Sequence, residues 1–151
     1  MLLCLLFSAC IAQPVQALNH DVRAETINET ICATGYTKTV RLSTNYTNGV
    51  KRLMLRRAGL PIEDISFYEL DHIIPLALGG HPRDMANLML QPWDGLDGAR
   101  RKDKLEVKLQ CLVCTGQVDL NVARKEIFED WIGAAHRHQH KRCSRRKYEG
   151  D

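Results

Sequence analysis

The sequence predicts one small domain of the α+β class, in which two short strands precede a helix and further helices flank them. The chain of 151 residues is long enough for one modest core. Two apolar runs, 67–78 and 88–90, lie on either side of Gly79 and Gly80, as expected for two strands joined by a turn. Leucines then recur at helical spacing over 100–114.

The overall composition restricts the class of protein but not its partner. Hydrophobic residues make up 44% of the chain and charged residues 26%, values typical of a soluble globular domain. The net charge is +3 and the isoelectric point is near 8.6. This mild basicity permits a polyanionic partner without requiring one.

The N-terminal segment has the pattern of a targeting signal. The first seventeen residues carry no charge, and an apolar run over 2–12 is followed by the small-residue site Val15-Gln16-Ala17. We therefore expect a secretory signal over 1–17, cut after Ala17 and too short to span a membrane. One alternative is a lipoprotein signal modified at Cys10, and another is an ordinary buried segment. The polar stretch 18–30 predicts a poorly ordered lead-in.

The domain itself is predicted over 31–135. The stretch from Gly35 to Leu42 alternates in the manner of an edge strand. Thr47 is expected to cap a helix over 48–58, with Val50, Leu53 and Met54 on one face.

The C-terminal part predicts a helix followed by a tail. Gly116 should close the helix over 100–114, and Asp119 should cap a last helix whose apolar stripe includes Trp131. The basic, histidine-rich segment 136–151 is expected to be a solvated extension that attracts phosphates non-specifically.

The chemistry-bearing residues lie around the predicted strand pair. Asp71 and His72 follow each other within the first apolar run, and Asn87 opens the second. A carboxylate can hold a divalent metal, a neutral imidazole can deprotonate water, and an amide can orient the imidazole.

Together these residues resemble a known family. The segment from about Cys32 to Ile132 is similar to small exported bacterial HNH endonucleases. The resemblance is carried by the Asp-His-Ile-Ile-Pro strand and by shorter motifs on either side, namely Gly35-Tyr36-Thr37, Tyr46-Thr47-Asn48, Leu78-Gly79-Gly80, Asn87-Leu88, Gln91-Pro92, Ala99-Arg100, Lys102-Asp103-Lys104-Leu105-Glu106, Val113-Cys114-Thr115-Gly116 and Asp130-Trp131-Ile132.

The resemblance implies a ββα-metal motif flanked by helices and metal-dependent hydrolysis of phosphodiester bonds in DNA. His72 would be the general base, Asp71 a metal ligand, and Asn87 would bind backbone across the loop and orient His72. Oxygen ligands favour Mg²⁺ or Mn²⁺, with Zn²⁺ also possible. Nothing resembles a sequence-reading module, so low sequence specificity is expected.

The third position of the motif departs from the family pattern. It falls on Gly98, which offers no side-chain ligand. Asp97 is expected to supply the missing oxygen, with Asp94 or water as alternatives. The same departure supports a second hypothesis, a non-catalytic nucleic-acid-binding protein with a degenerate HNH site.

Cationic residues in the first turns of the predicted helix suggest contact with the nucleic acid. We expect Arg100, Lys102 and Lys104 to contact phosphates, although the same residues also suit a solvated helix surface.

The cysteines indicate an oxidising compartment. Cys32, Cys111, Cys114 and Cys143 remain beyond the predicted signal, an even number for which three pairings are possible. The resemblance implies a Cys32–Cys114 disulfide, and the rival hypothesis is a small zinc module using Cys111 and Cys114. The expected location is the periplasm or the exterior.

Overall fold

The computed structural model describes residues 17–143. The predicted signal, apart from Ala17, and the end of the predicted tail over 144–151 lie outside the described residues. The helices are α1 (Tyr36–Val40), α2 (Thr44–Arg57), α3 (Ala99–Cys114) and α4 (Leu120–His138), and the strands are β1 (Tyr68–His72) and β2 (Leu88–Pro92). The α+β class predicted from the sequence is therefore confirmed.

The two strands form an antiparallel hairpin that meets α2 on one side. Tyr68 pairs with Pro92 at one end and His72 with Leu88 at the other. Leu70 and Leu88 pack with Val50 of α2 in a small apolar cluster. β1 ends at His72, earlier than predicted, because Ile74 and Pro75 lead into a short 3-10 turn over Leu76–Leu78.

The main core lies between α3 and α4, below the hairpin. The predicted leucine stripe of α3 and the apolar stripe of α4 face each other there, as their helical spacing predicts. Buried members of this core include Ile74, Leu78, Leu105, Leu109, Leu112, Ala123 and Ile127. Asp119 caps α4 as predicted, since its carboxylate accepts hydrogen bonds from the backbone of Asn121 and Val122.

α2 begins earlier than predicted. Ser43 rather than Thr47 caps the helix, since the Ser43 hydroxyl accepts a bond from the Tyr46 backbone N–H at 3.4 Å. Thr47 instead donates its hydroxyl to the Thr44 carbonyl inside the helix. Leu53, predicted to lie on the packed face, is 37% exposed, whereas Leu55 is buried. The early start thus changes the cap, and the packed face of the helix includes Leu55 instead of Leu53.

The predicted edge strand over 35–42 is wrong, because this stretch forms the short helix α1. Gly35 has φ 81°, a left-handed conformation that interrupts an extended chain. The helical turn is closed locally, with the Thr39 hydroxyl donating to the Tyr36 carbonyl at 2.7 Å. An alternating pattern of eight residues does not distinguish such a short helix from a strand.

The lead-in over 18–30 packs against the domain instead of remaining unordered. Leu18 forms an isolated bridge with Gly80, and Val22 is only 2% exposed. The buried guanidinium of Arg124 donates to the Val22 carbonyl at 2.9 Å and to the Leu78 carbonyl at 2.7 Å. The apolar side chains of Leu18, Val22 and Ile27, together with these backbone contacts, hold a largely polar segment against the domain.

The start of the predicted solvated tail is also packed. α4 continues to His138, whose buried ring lies 2.6 Å from the Glu126 carboxylate. Cys143 is joined to Cys111 by a disulfide. This hydrogen bond and the covalent bond explain why the charged stretch 136–143 does not form a free extension.

The disulfide implied by the family resemblance, Cys32–Cys114, is confirmed. Because Cys111 and Cys114 are both in disulfides, neither offers a thiolate to zinc, and the zinc module is contradicted. Two disulfides indicate an oxidising environment. Within residues 17–143, no helix combines the length and the apolar character needed to cross a membrane.

Candidate functional site

The end of β1 forms one wall of an open cleft of about 530 Å³. Asp71 and His72 both reach this cleft, although successive strand residues usually face opposite sides. The other walls come from α1, α2 and α3. The charged lining residues are Arg41, Lys51, Glu69, Asp71, Asp103 and Glu106.

His72 is held as a neutral imidazole at the side of the cleft. Its Nε2 lies 3.2 Å from the Pro82 carbonyl oxygen, which can only accept a hydrogen bond. The proton is therefore placed on Nε2, and Nδ1 keeps its lone pair. Burial lowers the pKa of His72 below its usual value, and the Pro82 contact and the charge of Asp71 only partly oppose this effect.

Asn87 closes the loop between the strands. Its carboxamide is fully buried, accepts from the Ile74 N–H at 2.8 Å, and donates to the carbonyls of Ile74 and His81 at 2.9 and 3.0 Å. Asn87 therefore binds backbone across the loop, as expected. Its contacts are with the loop and not with the His72 ring. Asn87 therefore acts on that ring only indirectly, because it holds the His81 carbonyl and the next residue, Pro82, contacts the ring.

The paired glycines are required by this loop. A Cβ on Gly80 would lie 1.7 Å from the Ile74 carbonyl oxygen and 2.7 Å from the Asn87 amide nitrogen. Gly79 has φ 78° and faces Val22 and Arg124. A larger residue at Gly80 would displace the loop from Asn87, and one at Gly79 would displace Val22 or Arg124.

Lys102 is buried, and the expectation that it contacts phosphate is wrong for this arrangement. The side chain is 1% exposed. Its ammonium donates to Asp71 Oδ2 at 2.9 Å, to the His72 carbonyl at 2.7 Å and to Glu106 Oε1 at 2.5 Å. Burial alone lowers the pKa of Lys102, but the charges of Glu106 and Asp71 outweigh it, so the pKa is raised and the ammonium stays charged.

Three acidic residues of the cleft were not predicted as site residues. Burial first, and then the charges of Asp71, Asp103 and Glu106, raise the pKa of Glu69 to about 7, and its Oε2 is buried without a hydrogen-bond partner among residues 17–143. Burial likewise raises the pKa of Glu106 to about 7, against the attraction of Lys102. Burial raises the pKa of Asp103 as well.

Sequence spacing contained a signal for two of these residues. Glu69 and Asp71 are two apart on one strand and therefore share a face, while Lys102 and Glu106 are four apart on one helix. The signal shows which residues lie together on an element, but not that both pairs meet across the same cleft.

The side-chain donors do not fit a bound metal ion in this arrangement. Asp71 Oδ1 accepts from the His72 backbone N–H at 2.7 Å, and Oδ2 accepts from Lys102. The positive charge beside Asp71 is thus already supplied by an ammonium. Within the described part of the chain, no group of three or more His, Cys, Asp or Glu side chains is placed to hold a metal.

Asp97 does not replace the ligand that Gly98 lacks. Its side chain is exposed and does not line the cleft, and its backbone carbonyl accepts from the Gln91 amide at 2.6 Å. A Cβ on Gly98 would lie 2.6 Å from the Asp94 carbonyl carbon and 2.8 Å from the Trp93 oxygen. Glycine at the third motif position is therefore explained by close backbone packing at the start of α3.

The remaining predicted phosphate contacts are on the surface. Arg100 is exposed, pairs with Asp94 and lies over the Trp93 ring at 5.3 Å. Lys104 is exposed on α3. Both side chains are accessible to a polyanion, in contrast to Lys102.

Comparison of the chain with models of protein families, with curated proteins and with solved structures finds no match. The functional assignment therefore depends on the site itself.

Proposed function

We propose that this protein hydrolyses phosphodiester bonds in DNA with low sequence specificity, and that β1, β2 and α3 form a ββα motif of the HNH kind. The observation that carries the proposal is the neutral His72 ring in a cleft beside Asp71. The Nε2–H of this ring donates to the Pro82 carbonyl. A neutral imidazole with a lowered pKa is the form that can act as a general base near neutral pH.

In the proposed reaction, Nδ1 of His72 takes a proton from water, and the hydroxide formed attacks phosphorus. The ester bond opposite the attacking oxygen breaks, and the leaving oxygen takes a proton from solvent. Arg41 and Lys51, which line the same cleft, offer positive charge to the phosphate. Arg100 and Lys104 are proposed to contact the DNA backbone outside the cleft.

A requirement for a divalent metal is implied by the family resemblance, with Mg²⁺ or Mn²⁺ favoured and Zn²⁺ possible. Because the described donors do not fit a bound metal, no step of the reaction is assigned to one. The same observation favours the second candidate, a DNA-binding protein with a degenerate site, since Lys102 takes the place of a cation on Asp71.

Export to the periplasm or the exterior is part of the proposal, supported by the two disulfides. A cut after Ala17 would remove a contact, because the Ala17 carbonyl accepts from the His81 N–H at 2.8 Å. The N-terminal sequence of exported protein locates the cut, and a lipid on Cys10 would instead identify a lipoprotein.

Plasmid cleavage by purified, oxidised protein tests the function, with Mg²⁺, Mn²⁺, Zn²⁺ or EDTA added. We expect nicking by the wild type and a loss of about 10²–10⁴-fold in rate for His72→Ala. His136→Ala, an exposed histidine on α4, is the matched control and should cleave normally.

Equal cleavage by His72→Ala and wild type, at matched folding, would contradict the role of the base. Cleavage in the presence of EDTA would contradict the metal requirement. A wild type that binds DNA but does not cleave it with any of the metals would establish the second candidate.

A further inference from the structure

A second groove lies beside the cleft, on the adjacent face of α3. It has a volume of about 380 Å³ and is lined by Lys104, Val107, Lys108, Cys111, Lys141 and Cys143. Three of these side chains are lysines. Val107 also lines the cleft, so the groove and the cleft share a wall.

The lysines of this groove carry uncompensated charge. None of the three forms an ion pair within 4.0 Å among residues 17–143, and in this they resemble other exposed cations such as Arg57 and Lys125, but here three of them line one groove. Lys104 and Lys108 are four apart on α3, so their like charges lie on adjacent turns and repel each other. Lys108 donates to the Gln139 carbonyl at 2.7 Å, which leaves its charge in place.

The Cys111–Cys143 disulfide holds the third lysine, Lys141, in this groove. Lys104, Lys108 and Cys111 follow at intervals of four and three residues and so lie on one face of α3. The bond from Cys111 to Cys143 ties the segment after α4 to that face, and this places Lys141 opposite the helix lysines.

We propose that this groove binds the phosphate backbone of the DNA strand where it leaves the cleft. Lys104 and Lys108 are separated by about 6 Å along the helix, close to two phosphate steps of about 3.4 Å each along the duplex axis. The shared wall at Val107 makes the path continuous. This proposal rests on the proposed function for the identity of the ligand, but it concerns binding and needs no cleavage.

The test measures the affinity of oxidised protein for a fluorescent DNA duplex in EDTA at increasing salt. A plot of log K against log salt has a negative slope, and each lost phosphate contact reduces the magnitude of that slope by about one unit. The double variant Lys108→Gln/Lys141→Gln should therefore lose about two units of slope. Arg57→Gln/Lys125→Gln removes the same charge from exposed sites elsewhere and should keep the wild-type slope.

The disulfide is tested with Cys111→Ser/Cys143→Ser, in which about one unit of slope should be lost. Adding Lys141→Gln to that variant should then change nothing further, because Lys141 has already left the groove. If the serine variant does not fold, Lys141→Gln in the wild-type background still tests the contact.

A wild-type slope in the double lysine variant would overturn the proposal, and so would equal losses in the double lysine variant and the control. No DNA binding by the wild type would also overturn it. If the slope falls as expected while plasmid remains uncut, the groove stands and the proposed hydrolysis fails. If the wild type cuts plasmid and the double lysine variant keeps the wild-type slope, the proposed hydrolysis stands and the groove fails.

Discussion

Replacing Lys102 with methionine should strongly destabilise the protein, although the two side chains have similar lengths. The Lys102 ammonium is the shared partner of Asp71, Glu106 and the His72 carbonyl, at 2.9, 2.5 and 2.7 Å. Methionine fills the space but donates nothing. Two carboxylates then remain in a buried position without a counter-charge.

The size of the effect follows from the burial of the cluster. Lys102 is 1% exposed and Asp71 7% exposed at the side chain, so water cannot replace the lost donor. Removing one partner of a buried ion pair typically costs about 3–5 kcal/mol. Lys104→Met on the exposed face of the same helix is the control and should change the free energy of unfolding by less than about 0.5 kcal/mol.

The effect should depend on pH with a defined sign. Without Lys102, the pKa of Glu106 rises further above about 7, so the folded variant binds more protons than the unfolded chain. Its stability then falls as the pH rises from about 4.5, and part of the loss should be recovered at pH 5.

Urea unfolding of oxidised protein at pH 5 and pH 8 measures this difference. Lys102→Met/Glu106→Gln, which also removes one carboxylate charge, should be more stable than Lys102→Met at pH 8. A loss below about 1 kcal/mol for Lys102→Met at pH 8, or a larger loss at pH 5 than at pH 8, would refute the assignment of Lys102 as the counter-charge.

Other changes test the rest of the site and the covalent frame. Gly98→Asn should destabilise the protein by about 1–3 kcal/mol and create no metal ligand, because its Cβ overlaps the Asp94 backbone; a more stable variant with tighter Mg²⁺ binding would contradict this. Glu69→Gln should stabilise the protein at pH 8 and not below pH 4, since only the wild type must ionise a group whose pKa is raised to about 7. The full shift corresponds to about 3 kcal/mol, reduced to about 1 kcal/mol because the side chain is partly exposed; equal urea midpoints at pH 8 would contradict it. Cys32→Ser/Cys114→Ser opens a loop of 82 residues and should lower the free energy of unfolding by about 4 kcal/mol in a denaturant titration, and an unchanged midpoint would show that the bond is not formed.

Local pattern determined the parts of this protein that depend on neighbours along the chain. The stripes of α3 and α4 and the cap at Asp119 followed from spacing and residue type, because they require only that one helix has one apolar face. The two strands around Gly79 and Gly80 followed in the same way, although β1 ends at His72 and not at the end of the predicted run 67–78.

Tertiary contacts decided the rest. Lys102 meets Asp71 from 31 residues away, and Arg124 holds Val22 from 102 residues away. A cationic residue on a helix has the same sequence signature whether it contacts a phosphate or a buried carboxylate. The sequence by itself thus determined which residues share a face of α3. Only the packing of α3 against β1 turned Lys102 inward, because burial of its ammonium depends on an acidic partner, Asp71, that another element supplies.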